Sequence, residues 1–240
     1  MSQMDVELAI DASFGSISRI EAGRVNPTKE TIVKISKFLK LNDKELYYII
    51  GPNAIPADNV EISHAREEVR EYFSKKGVLA YLLDDRARLI DFSRSFEKFF
   101  RISDEEIIEN LREKTLPEIL LNDDLYINRF FKGPYYENNI RLLLDVFYTD
   151  MGFMVNDQYY LKALSFIEGN PVSKKIWESI ISETPNHKLF NFENRKIFFN
   201  ILGHKVELLY AREVLPRYRR FYIVEYTPKN DVVALLTKLL

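Results

Sequence analysis

Residues 51 to 63 read GPNAIPADNVEIS, with one glycine and two prolines among them. Proline fixes φ, lacks an amide donor and pushes the residue before it out of the helical region, so neither a long helix nor a central strand runs through such a stretch. The 240-residue chain is therefore expected to fold as two pieces, residues 1–50 and 64–240, with 51–63 as linker. The first piece alternates short helical patterns with turn signals. The second passes from strand-like to helical to strand-like periodicity.

Composition narrows the function. Apolar residues make up 46% and charged residues 29%, the values of an ordinary globular chain. No apolar run approaches the ~18 residues that a membrane span needs. The start, MSQMDVELAIDAS, has neither the basic segment nor the long apolar segment of a secretory signal, so the expected location is the cytoplasm, with no membrane partner. Zero cysteines exclude disulfides, thiol catalysis and thiolate metal sites. With 34 basic and 36 acidic side chains the net charge is −2, so any contact with DNA must rest on a local face rather than on bulk charge. His64, His187 and His204 stand apart, each read as lying in a loop or at a helix start, and none falls in an H-E-x-x-H pattern. There is no G-x-S-x-G, P-loop or G-x-G-x-x-G among the eight glycines, and neither enzymatic activity nor a cofactor or metal is expected.

In SQMDVELAIDASFGSISRIEAG, Ser2 is placed to N-cap a first helix with Val6, Ala9 and Ile10 inward, and Asp11-Ala12 to make the turn. Ser13 then caps a second helix whose Ile17 and Ile20 face the core. Phe14, Gly15, Ser18 and Arg19 share its opposite face, and Gly23 stops it. NPTKETIVKISKFLKL adds a capped helix with Ile32, Ile35, Phe38 and Leu39 as its buried stripe.

Over residues 2 to about 46 this pattern, with its S-x-x-x-I-S-R-I-E-x-G run, resembles the Cro and lambda-repressor helix-turn-helix family, the XRE-type regulators. The resemblance implies double-stranded DNA as partner. It places Gln3, Ser13, Ser16 and Arg24 on the phosphate backbone and Phe14, Gly15, Ser18 and Arg19 at the base-reading positions, with Glu21 structural. Only Arg19 has the fork that grips a guanine. Domains of this family begin with an additional helix, for which no residues precede Ser2 here. Three or four lost apolar anchors at ~1.5–3 kcal/mol each rival a whole domain's stability of ~5–15 kcal/mol. The expectation is thus a helix-turn-helix truncated at its first helix, whose DNA contact depends on further chain or on a partner surface.

In the second piece, HAREEVREYFSKK carries Ala65, Val69, Tyr72 and Phe73 at helical spacing, and VLAYLLDDRARLIDFS reads as a hairpin with a polar loop, DDRAR. Helical periodicity runs from Phe96 to Ser182, broken at Gly133-Pro134, Gly152 and Gly169-Asn170-Pro171. KIFFNIL, KVELLYAREVL and RRFYIVEYT then read as a meander, and DVVALLTKLL as a short closing helix. Arg212, Arg217, Arg219 and Arg220 are taken as a solvated basic loop. Two strands, a helical block and three strands is the element order of a PAS-like sensor. Behind a helix-turn-helix, the run from AYLLDDRARLIDFS through YYENNIRLLLDVFY to RRFYIVEYTPKND resembles the MmyB-like ligand-binding domain of bacterial regulators. Phe92-Ser93 stands where that family has Trp-Asn, while Arg141 and Trp177 match family positions. The resemblance implies an apolar pocket for a fatty acid or similar small ligand.

The aromatic residues after position 72 offer apolar walls with a few hydroxyl handles. Candidate ligand contacts are Phe92, Phe96, Phe99, Arg141, Leu144, Phe147, Tyr148 and Phe199; plain core packing stays open for each apolar one. Arg141 either anchors a carboxylate or snorkels to solvent. The expected fold is an all-α helix-turn-helix followed by an α+β PAS-like domain with an antiparallel sheet. The expected function is a homodimeric, ligand-responsive transcriptional regulator; the alternative is a ligand-binding or protein-interaction module that does not itself bind DNA.

Overall fold

The computed structural model describes residues 1–51, 54–102, 105–183, 196–201 and 204–228. The chain divides into two compact units, Met1–Ile55 and Pro56–Leu240.

The first unit holds four helices, α1 (Gln3–Ala9), α2 (Ser16–Glu21), α3 (Lys29–Leu39) and α4 (Asp43–Ile50). Each start except that of α2 is sealed by the side chain of its own N-cap residue. Ser2 and Asp5 cap α1 reciprocally, Thr28 accepts the Thr31 amide at 3.1 Å, and Asn42 and Glu45 form a second reciprocal pair. Ile10 and Ile17 are buried. Ala9 is not: at 100° per residue Val6, Glu7 and Ile10 share one face of α1, so Glu7 takes the buried place and Ala9 faces solvent. In α3 the expected stripe also shifts. Ser36 is buried with its hydroxyl on the Ile32 carbonyl at 2.7 Å, whereas Phe38 and Leu39 stay 37% exposed. A unit of 55 residues has little surface with which to cover three apolar turns.

The second unit opens with α5 (Asn59–Ser74), five residues earlier than a linker reaching residue 63 allows. The Asp58 carboxylate accepts the Val60 and Glu61 amides, and Glu61 returns a bond to the Asp58 amide, so a capping box starts the helix inside the breaker-rich stretch. Strands β1 (Ala80–Asp84) and β2 (Leu89–Phe92) follow, then α6 (Arg94–Phe99), α7 (Glu105–Leu111), α8 (Leu116–Leu121), a 3-10 turn at Tyr126–Phe130, α9 (Tyr136–Met151), α10 (Gln158–Gly169) and α11 (Pro171–Glu183). Strands β3 (Lys196–Ile201), β4 (His204–Val214) and β5 (Phe221–Pro228) complete an antiparallel sheet of order β2-β1-β5-β4-β3. His64 lies inside α5, its ring stacked on Tyr218, and His204 opens β4. The closing helix expected at 231–240, His187, and the chain between α11 and β3 lie outside the described residues.

β1 is buried along its whole length because both of its faces are covered. Ala80 and Leu82 meet Ile62, Ala65, Val69 and Phe73 of α5. Tyr81, one step out of phase, turns to the helical layer. Both sheet edges are occupied. The Leu89 amide and carbonyl bond Lys114 and Glu113, and the Asn139 side chain of α9 bonds both backbone groups of Phe198.

The β1–β2 turn is polar, as its DDRAR sequence reads, and it is buried. Asp84 and Arg86 are fully buried and Arg88 is 3% exposed. Asp84 accepts the amides of Arg86 and Arg88 and the Arg88 Nε at 2.6 Å. Arg86 binds Asp85 and Asp157, the cap of α10, while Arg88 reaches the Ala57 carbonyl at 3.0 Å and the Tyr159 hydroxyl. Two members of the basic loop belong to such pairs as well. Arg220 joins Glu61 and Asp85, and Arg212 joins Asp150 over the face of Tyr222. The polar letters were legible, but charge complementarity across distant segments was not.

Burial, and then the neighbouring Asp84, push the Asp85 carboxyl up to about 6 from its ordinary 3.8. Its ionisation therefore opposes folding above about pH 6, and the folded state alone takes up a proton as pH falls from there toward 3.8. Stability contributed by this group therefore rises as pH falls from about 6 toward 3.8, by up to about 3 kcal/mol. Urea unfolding followed by the fluorescence of Trp177, the only tryptophan, is expected to show that rise in the native chain and a flatter profile in Asp85→Asn.

Candidate nucleic-acid interface

The second helix of the first unit is short, and its ends are specified by two different devices. Its start is not capped by Ser13. Gly15 occupies the N-cap with φ +77°, a left-handed conformation that costs a residue with Cβ, and offers no side chain. The cap comes instead from another helix: the buried Glu7 carboxylate accepts the Ile17 amide at 2.9 Å. At the other end Gly23, with φ +66°, gives its amide to Ile20, and Arg24 gives its amide to Arg19 at 2.8 Å, which is the double bond of a Schellman stop. The helix between them is anchored by Ile17 alone, with Ile20 half-buried.

Phe14, Ser18, Arg19 and Arg24 project from this segment into solvent, Phe14 with 84% of its surface exposed. Ser13 and Ser16 join hydroxyls at 2.9 Å, and the Arg19 guanidinium donates to Ser16 Oγ at 3.3 Å. Ser13, Ser16 and Arg19 line one open cleft of about 380 Å³ together with Asn26, Thr28, Thr31 and Lys34. The last four extend the polar lining along the start of α3; the NPT cap signal placed that helix start, but nothing in it pointed to a shared cleft. Gln3 sits apart from the cleft and donates to Glu21 Oε2 at 2.5 Å, tying α1 to α2. Four hydroxyl side chains, one amide, one guanidinium and one ammonium converge here, donors that suit a phosphate backbone, beside the carboxylates of Asp11 and of Glu30, the latter paired with Lys34.

Among the candidate ligand residues, the interior of the second unit is packed. Phe96, Phe99, Phe100, Phe131 and Phe199 form a chain of rings with centroids 4.5 to 5.8 Å apart. Phe92 is buried against Phe96, Leu144 is buried in α9, and Phe147 stacks on Tyr160 at 5.9 Å. Tyr148 packs edge-on to Trp177 rather than presenting a handle to a pocket. Between this layer and the sheet lies a cavity of about 20 Å³ lined by Tyr81, Phe96, Ile119, Phe131, Leu143 and Tyr226 among others. Only Phe96 of the eight expected contacts borders it. Its lining is apolar; the hydroxyls of two of the lining tyrosines, Tyr81 and Tyr226, bond each other at 3.1 Å, a pairing that the period-two spacing of Tyr222, Val224 and Tyr226 foreshadows only in part. Arg141 does not turn inward. It is 40% exposed and binds Glu183 at 2.7 Å and Ser179 at 3.2 Å, because its place on α9 faces α11 rather than the sheet.

Residues 1–46 match the helix-turn-helix family model. No curated protein matches the chain. The match and the geometry define a helix-turn-helix unit, followed by a unit with a five-stranded antiparallel sheet and helices. Among the described residues no helix is long and apolar enough to cross a membrane.

Removing the Glu7 carboxylate leaves the Ile17 amide without its partner at a buried position, a loss of about 1–2 kcal/mol. Amide exchange at Ile17 is expected to speed roughly five- to thirtyfold in Glu7→Ala and to stay near the native rate in Glu7→Gln, which keeps an acceptor.

Proposed function

We propose that this chain is a DNA-binding transcriptional regulator of the XRE type, working as a homodimer in the cytoplasm, and that its second unit is a PAS-like, MmyB-type sensor. The observation that carries the reading is the exposed face of α2, where Arg19 stands between a helix start fixed by Glu7 and a stop fixed by Gly23. The helix-turn-helix match over the same residues supports it. A recognition helix of six residues reads few bases, so two copies on a two-fold site are the economical way to specificity. The order of two strands, a helical block and three strands, with aromatic side chains between sheet and helices, supports a PAS-like sensor.

The interior favours one ligand chemistry over another. A cavity of about 20 Å³ holds one water, so a ligand enters only by displacing side chains such as Phe96 and Phe131. No charged residue lines it, and Arg141 is engaged with Glu183, so the carboxylate of a fatty acid has no counter-charge there. A small neutral apolar molecule is the better fit to this apolar lining.

The test is DNA selection from a random pool by the full chain, followed by titration of the selected and a random duplex at several salt concentrations. Arg19→Ala is expected to weaken binding to the selected duplex by about 1–3 kcal/mol while leaving random binding and its salt slope nearly unchanged. Equal loss on both duplexes moves Arg19 to phosphate contact, and failure of the native chain to enrich any sequence removes the regulator reading.

A further inference from the structure

A second polar cleft, of about 260 Å³, lies where the C-terminal end of α5 meets α6, and it is lined by Ser74, Lys75, Lys76, Arg94, Ser95 and Lys98. Four cations and two hydroxyls make up the lining, with no carboxylate among them. Elsewhere on this unit's surface some basic side chains have an acid beside them: Arg70 pairs with Glu67, Arg112 with Glu109 and Lys132 with Asp123. Among the described residues Lys76 and Arg94 form no ion pair, and Lys75 contacts only the Tyr72 ring. Ser95 adds an independent sign. It is 4% exposed, its hydroxyl oxygen accepts the Gly77 amide at 3.0 Å, and its hydrogen meets no acceptor among the described residues. A hydroxyl hydrogen at a buried position is normally used.

We propose that this cleft is a binding site for a compact anion, the phosphate group of a small molecule. Every group that the site can offer is a donor or a positive charge. The Lys75 and Lys76 ammonium groups, the Arg94 guanidinium and the Ser95 hydroxyl together call for a ligand with several acceptor oxygens and more than one negative charge, which a phosphate group supplies. The Ser74 hydroxyl is already spent on the Glu71 carbonyl at 2.8 Å. A polyanion such as duplex DNA fits less well, because Glu67, Glu68 and Glu71 are exposed on the turns of α5 leading to the cleft and would oppose an extended phosphate track. The site is separate from the apolar cavity and does not depend on what that cavity holds.

The experiment is calorimetric titration of the full chain with inorganic phosphate, against sodium chloride at matched ionic strength. Lys76 and Arg94 are exposed, so the double variant Lys76→Ala, Arg94→Ala is expected to keep the native Trp177 emission. Phosphate is expected to bind with a millimolar or tighter constant that chloride does not mimic. In the double variant binding is expected to weaken tenfold or more, and in Lys174→Ala, which removes an exposed charge elsewhere, to stay as in the native chain. Heat reproduced by chloride, or equal binding by the double variant, overturns the proposal. A random-sequence duplex serves as the second arm: if the double variant loses duplex affinity in the same proportion as phosphate affinity, the cleft belongs to a polyanion surface and the compact-anion reading falls.

Discussion

The carboxylate of Asp84 is the point around which the second unit is assembled. Fully buried, it accepts two backbone amides and one guanidinium nitrogen, and so closes the β1–β2 turn and fixes Arg88 in a single operation. Arg88 then spans to the Ala57 carbonyl ahead of α5 and to Tyr159 in α10, while Arg86 reaches Asp157 at the start of α10. The outer helix, the sheet and the inner helical layer are thereby tied through one turn. Buried pairs of this kind add little net stability against an apolar replacement, yet losing one partner strands a charge at a cost of about 3–5 kcal/mol. Such pairs act on specificity more than on stability: in the observed docking of α5 and α10 these partners meet.

The same logic governs α5, which holds to the sheet by apolar contacts along Ile62, Ala65, Val69 and Phe73 and by directed bonds at intervals along its length. Glu61 meets Arg220, Arg66 donates twice to the Ile90 carbonyl, and the Tyr72 hydroxyl donates to Glu225 at 2.5 Å. Burial, with Glu225 beside it, pushes the Tyr72 hydroxyl up to about 12, so it remains a donor across the whole physiological range. Apolar contacts would tolerate a slide of one helical turn. The polar bonds do not.

Much of this was legible in the sequence and some was not, for separable reasons. Strand runs such as KIFFNIL and RRFYIVEYT, and the caps at Ser2 and at the NPT start of α3, depend on neighbours a few residues away, and such signals survive in a linear reading. The Asp58 cap is equally local but lay among prolines and asparagines that argue for a loop, so the breaker signal masked it. The partners of Arg141 and of the DDRAR turn were not legible for another reason. A charged residue in a helix or turn reads as solvated unless its counter-charge is visible, and here the counter-charges sit on Glu183 and Asp157, far along the chain. The cap of α2 shows the same limit, since Ser13 fitted the local pattern while Glu7 supplies the bond.

That exchange has a consequence for how the first unit reads DNA. A serine cap would leave α2 free to reorient with its own loop, whereas a carboxylate on α1 makes the orientation of α2 a property of the two-helix pair. Gln3 bonding Glu21 joins the same two helices, from the other end of α1. Arg19 is therefore carried by a hydrogen-bonded helical pair rather than by a short helix alone, which suits the proposed guanine contact, since bidentate bonding depends on where the guanidinium plane lies. The exposed apolar residues of α3 and α4, Phe38, Leu39, Tyr47, Ile49 and Ile50, mark the other side of that economy. In so small a unit the polar bonds that fix the reading helix are intact while the apolar core is thin, so the geometry at the DNA-facing surface depends on directed bonds more than on burial.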